Sequence, residues 1–138
     1  MQRVVGLDVG NKTIGVAVSD PLGLTAQGVT VLKRSQLTAD VEAVINILER
    51  YQTQEVVIGL PLNMNGTKGP QAQVAEDFGA ALQEQGIKIS FIDERLTSVA
   101  AERVLLAGDV RRAKRKQVID MLAAQLILEV YLQRRQAK

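Results

Sequence analysis

Val4-Val5-Gly6-Leu7-Asp8-Val9-Gly10-Asn11-Lys12-Thr13-Ile14-Gly15-Val16-Ala17-Val18-Ser19-Asp20 is the stretch that decides how this chain folds. Two β-branched runs, Val4 to Val9 and Ile14 to Val18, flank a Gly10-Asn11 dipeptide. β-branched residues favour extended backbone and Gly-Asn favours a tight turn, so a β-hairpin is predicted. Asp8 breaks the pattern, a carboxylate near the end of an apolar strand. Burying it alone is costly, so it needs a cation, a donor or a metal beside it. Gly6, Gly10 and Gly15 surround it and leave room for something to approach the backbone closely.

Outward from the hairpin, Gln27 to Leu32 reads as a third strand. Asp20, before Pro21, is a turn residue and a secondary candidate ligand. From about Leu37 to Tyr51, Val41, Val44, Ile45 and Leu48 recur at helical spacing. Asp40 and Glu42 come early in that helix and Arg50 late, as the helix dipole favours. Glu55 to Leu60 is a short apolar run after a helix, the mark of a buried parallel strand. The turn-rich segment from Pro61 to Pro70 follows it, at the strand end where open α/β sheets place their sites. Asn63, Asn65, Thr67 and Lys68 there suit phosphate contacts or turn building.

Gln71 to Gln85 is predicted helical, with Val74, Phe78, Ala81 and Leu82 on one side and Gly86 as its stop. Ile87 to Ile92 is a further strand, ending in Asp93-Glu94-Arg95. Thr97-Ser98 would cap a helix through about Leu106, broken at Gly108-Asp109. Lys116 to about Arg135 is apolar around much of its circumference and should pack into the body of the fold. A hairpin and meander followed by strands with crossover helices gives an α/β fold. The layout is ribonuclease H-like: a mixed five-stranded sheet, antiparallel first and then parallel, with helices on both faces. One domain over residues 1–138 is expected, since 138 residues with 46% hydrophobic content fit one core.

Composition narrows the chemistry. With no Cys there is no thiol nucleophile or Cys-based zinc site, and with no His there is no Ser-His-Asp triad. Only Tyr51, Phe78, Phe91 and Tyr131 are aromatic, too few for a base-stacking platform. What remains is mostly carboxylates, which at a catalytic centre point to Mg²⁺ or Mn²⁺. No run nears the roughly 18 apolar residues of a membrane span. No signal-peptide pattern is seen, so a cytoplasmic location is expected. Net charge is only +2, but Arg111, Arg112, Lys114, Arg115 and Lys116 put five cations into six positions. Such density favours a nucleic-acid partner over a merely solvated loop.

Three acids stand out for one reason. Asp8 interrupts an apolar strand, Glu94 ends a buried one, and Asp120 lies in an apolar helix. With the strands that carry Asp8 and Glu94 adjacent at the sheet centre, the two share an edge, and the last helix could bring Asp120 beside them. Clustered carboxylates repel and lose solvation, which divalent cations resolve. Two metals about 3.5–4 Å apart can activate water and stabilise the leaving oxygen in phosphodiester hydrolysis. Plainer roles exist for each: a turn for Asp8, pairing with Arg95 for Glu94, and a helix pair with Lys116 for Asp120. Asp93 is an alternative ligand to Glu94.

Four segments together resemble the YqgF/RuvX family of pre-16S rRNA nucleases and Holliday junction resolvases. They are Gly6 to Asp20, Gly59-Leu60-Pro61-Leu62-Asn63-Met64-Asn65-Gly66-Thr67, Asp93-Glu94-Arg95-Leu96-Thr97-Ser98, and Lys116-Gln117-Val118-Ile119-Asp120-Met121-Leu122-Ala123-Ala124. The resemblance implies a ribonuclease H-like, metal-dependent nuclease. It matches Asp8, Glu94 and Asp120 to the family's acidic positions, and Lys12, Arg95 and Lys116 to basic positions that hold the phosphate backbone. Where the family carries Arg after the Lys of its first motif, this chain has Thr13.

The expected function is therefore hydrolysis of structured nucleic acid with Mg²⁺ or Mn²⁺, most naturally at the 5′ end of pre-16S rRNA. Resolution of branched DNA, which would need a homodimer rather than a monomer, is the alternative. A non-catalytic nucleic-acid-binding module is the third reading.

Overall fold

The computed structural model describes residues 3–97, 99 and 112–136. The strands are β1 (Val5–Val9), β2 (Thr13–Ser19), β3 (Ala26–Lys33), β4 (Glu55–Leu60) and β5 (Lys88–Asp93). The helices are α1 (Leu37–Arg50), α2 (Pro70–Glu84) and α3 (Arg112–Gln136), with a 3₁₀ turn at Glu94–Leu96. The five strands lie in the order β3-β2-β1-β4-β5. β1, β2 and β3 pair antiparallel, and β1–β4 and β4–β5 pair parallel, so the expected mixed sheet is present.

Three expectations shift. The first turn centres on Asn11-Lys12, with the Gly10 N–H donating to the Thr13 carbonyl at 2.9 Å. Neither Gly10 nor Asn11 takes positive φ, so the tight mirror-image turn suggested by Gly-Asn is not used. The last helix is already formed at Arg112, a turn before Lys116, because basic residues are good helix formers that apolar periodicity does not count. The helix expected from Thr97-Ser98 falls, apart from Thr97 and Val99, outside the described residues.

The two faces of the sheet differ in side-chain size. Val5, Leu7, Ile14, Val16, Val56 and Ile58 point to the α1/α2 side, where they meet Val44, Leu48, Phe78 and Leu82. Residues one place out of step, among them Val4, Ala17 and Val57, point to α3 and pack on Ala124, Ile127 and Leu128. On that face a Cβ at Gly6 would come within 2.8 Å of Leu128 Cβ, so the helix rides close to the strands. Leu128, Ile127 and Leu132 are essentially buried, each worth about 1.5–3 kcal/mol of burial. This tight seating fixes α3, and with it Asp120.

Candidate active site

Asp8 is 8% exposed and pairs across the hairpin with Gly15. Cross-strand partners point to the same face. An added Cβ at Gly15 would run into the Asp120 carbonyl, so Asp8 and Gly15 both face α3. The β1–β4 register, Leu7 opposite Ile58, carried on by one residue sets Gly59 beside Asp8 on the other flank. An added Cβ at Gly59 would meet Ile127 and stand 3.2 Å from Glu94 Cδ. A single row thus crosses the sheet: Gly15 under Asp120, then Asp8, then Gly59 under Glu94. Strands are about 5 Å apart, so the row spans about 10 Å.

The sequence reading expected the strands of Asp8 and Glu94 to be neighbours. β4 stands between them. Glu94, at the end of β5, reaches over β4, and the missing side chain at Gly59 leaves it the space. Periodicity gave no sign of this. The signal was Gly59 itself, a glycine in an otherwise buried apolar strand.

Asp120 is held from below. The Thr13 hydroxyl donates to Asp120 Oδ2 at 2.5 Å, joining the first residue of β2 to α3. Thr13 was noticed only as a departure from the family's arginine, and its reach across the fold has no sequence signature. Among the described residues, no three acidic side chains form a closed metal-ligand group. The acids share a face and a row rather than a common point. Their chemistry suits a hard divalent cation, since all are carboxylate oxygen donors.

The basic residues divide. Lys12 is exposed on the hairpin turn that joins the two strands of Asp8 and Gly15. That turn is braced from the end of β3: the Arg34 N–H donates to the Lys12 carbonyl at 2.8 Å, and its guanidinium donates to the Gly10 carbonyl at 2.9 Å. Arg34 also pairs with buried Asp40 at 2.9 Å, a partnership that the helix-dipole reading of Asp40 had overlooked. Arg112, Lys114, Arg115 and Lys116 lie on the first turns of α3, and Arg111 lies outside the described residues. Cations at a helix N-terminus oppose the dipole. Four cations in the five positions from 112 to 116 concentrate positive charge on this stretch, which suits anions. Asp120 lies eight residues from the start of α3, so that end projects about 12 Å beyond the acidic row.

Arg95 is engaged within the fold. Its guanidinium donates to both carboxylate oxygens of Asp93, at 2.7 Å and 3.1 Å, and to the Met64 carbonyl at 3.3 Å. The hydrogen bonds from Arg95 hold the Asp93 carboxyl below its ordinary range, and Asp93 in turn raises the Arg95 pKa. Arg95 is therefore a latch between β5 and the loop over residues 61–69, and Asp93 is occupied as its partner. That loop also ties itself down, through Asn63 to Thr67 at 3.0 Å and Thr67 to Asn65 at 2.6 Å. Asp20 serves its own turn: its carboxylate accepts from the Thr25 and Leu24 N–H groups at 2.7 Å and the Leu22 N–H at 3.3 Å. Those backbone donors, Thr25 first, lower its pKa.

The mixed sheet and this row of acids define a ribonuclease H-like chain. Among solved structures, Thermus thermophilus RuvC with a Holliday junction substrate superposes at a TM-score of 0.61, with 18% identity over 100% of this chain and 98% of that one. Fowlpox virus resolvase with Holliday junction DNA gives a TM-score of 0.53, with 13% identity over 97% and 99%. Residues 2–134 match the RuvX family, described as Holliday junction resolvase, and the chain belongs to that family. A Moorella thermoacetica relative named "Putative pre-16S rRNA nuclease" is 56% identical over 96% of this chain and 95% of its own. A Heliobacterium modesticaldum relative of the same name is 53% identical over 94% and 88%. The chain is a nuclease, a hydrolase acting on phosphodiester bonds. Nucleases of this fold generally use divalent metals. Among the described residues, no helix is long and apolar enough to cross a membrane.

Proposed function

We propose that this nuclease cleaves the precursor of 16S rRNA at its 5′ end, with Mg²⁺ or Mn²⁺ held by Asp8, Glu94 and Asp120. The observation that carries the reading is the row in which Asp8 is flanked by Gly15 under Asp120 and Gly59 under Glu94. The substrate follows from relatives more than half identical over nearly the whole chain. The ions would supply a water acidic enough to attack near neutral pH and would offset charge on the phosphate. Asp8, Glu94 and Asp120 would hold those ions. Lys12 and the basic start of α3, from Arg112 to Lys116, would hold the phosphate backbone. Phosphate contacts of this kind position without reading sequence. Recognition then depends on the shape of the RNA, in keeping with four aromatic residues in the chain.

A second reading, cleavage of four-way DNA junctions, is favoured by the RuvX family description. Two symmetric cuts would require a homodimer. The test sets wild type against Asp8→Asn on pre-16S RNA and on four-way junctions, with and without divalent metal. Metal-dependent cleavage of the RNA by wild type alone is expected. Equal cleavage by Asp8→Asn would remove the proposed site. A clear preference for junctions would transfer the function to the second reading.

A further inference from the structure

We infer that Thr13 is a positioning residue for Asp120, setting which carboxylate oxygen is offered to the divalent ion; this rests on the metal site proposed above. Thr13 stands two residues before Gly15 on β2, so its side chain shares the α3 face. The main chain at Asp120 is already fixed, because α3 sits directly on Gly15. What remains loose is the carboxylate itself, whose terminal torsion is broad in an isolated aspartate. The Thr13 hydroxyl removes that freedom by donating to Oδ2 at 2.5 Å across 107 residues of sequence. A hydroxyl has one proton to give, and the bond to an ionised carboxylate is among the stronger hydrogen bonds. Thr is also restricted at χ1 by its β-branch, so the hydroxyl is set in place before the ion arrives. Oδ1, which does not take the Thr13 hydroxyl, is then the oxygen left to offer an ion.

Groups that orient metal ligands in this way typically change affinity by about 10–100-fold when removed. Thr13→Val keeps the branched shape and the strand preference while deleting the donor. Thr13→Ser keeps the donor. Mn²⁺ binding to the full chain, measured by titration calorimetry in the absence of nucleic acid, compares wild type, Thr13→Val, Thr13→Ser and Asp120→Asn. Thermal melts of each variant establish that it is folded. Thr13→Val should bind Mn²⁺ at least about tenfold more weakly, and Thr13→Ser should recover most of the loss. Wild-type affinity in Thr13→Val overturns the role of Thr13, provided Asp120→Asn is weakened. Wild-type affinity in Asp120→Asn, or no Mn²⁺ binding by wild type, overturns the metal site itself. Should Thr13→Val not fold, Thr13→Ala against Thr13→Ser makes the same comparison.

Discussion

The Glu94 carboxyl carbon lies over Gly59, 3.2 Å from the point where a Cβ on that glycine would stand. β4 separates the strands of Asp8 and Glu94, so Glu94 reaches the row only by crossing a position with no side chain. Gly59→Ala should push Ile127 and Glu94 aside together. Overpacking of this kind costs about 1–3 kcal/mol, which a urea melt will read as a modest loss. Cleavage should fall much further, by about 100-fold, because misplacing a catalytic group by an ångström has that effect.

Gly15 and Gly28 both lie beneath α3 but should differ in tolerance. A Cβ at Gly15 would meet the main chain of Asp120 and Met121, which cannot move without the helix. A Cβ at Gly28 would meet the Met121 side chain, at 2.5 Å from Cγ, which can swing away. Gly15→Ala is expected to destabilise at or above the upper end of about 1–3 kcal/mol, and Gly28→Ala near the lower end. Chemical denaturation of the two variants checks the order.

Asp40 couples the hairpin turn to acid stability. Burial pushes its pKa up, but the Ser35 N–H and the Arg34 guanidinium outweigh burial and hold it below 3.8. A folded-state pKa below the unfolded one stabilises the protein above the unfolded value. That contribution is lost as pH falls from 3.8 through the folded-state value, and it is absent below both. Stability measured from neutral pH down through this window should decline less steeply in Asp40→Asn than in wild type. Arg34→Met should lower stability at neutral pH and reduce cleavage, since Arg34 also braces the turn that carries Lys12.

Arg95 and Lys12 should separate in salt dependence. A side chain that neutralises a phosphate contributes about one unit to the slope of log affinity against log salt. Lys12→Ala is expected to reduce the slope by about one. Arg95→Ala should leave the slope unchanged, because that guanidinium is committed to Asp93 and the Met64 carbonyl. Binding isotherms at a series of salt concentrations, without divalent metal, distinguish the two.

The elements were legible where one signal dominated. β-branched runs marked the hairpin, and Glu55–Leu60 stands where an uninterrupted apolar run placed it. The acids could be singled out because each is a charge in apolar company, a local property. What could not be read was anything set by the sheet order. That β4 lies between β1 and β5 depends on the packing of the whole, and the importance of Gly59 follows from that order alone. The pairing of Arg95 with Asp93 was not legible, because its charge is visible in sequence while its partner's orientation is not. Thr13 and Asp120 meet only because α3 returns across β2, and neither residue type announces the other.

The central claim is that Asp8, Glu94 and Asp120 together hold divalent metal. Anomalous diffraction from a crystal of the full chain grown or soaked with Mn²⁺ tests it most directly. Manganese peaks whose protein ligands are oxygens of Asp8, Glu94 and Asp120, each side chain meeting at least one ion, are the predicted result. Saturating Mn²⁺ in a catalytically competent crystal, with the anomalous signal away from these residues, would contradict it.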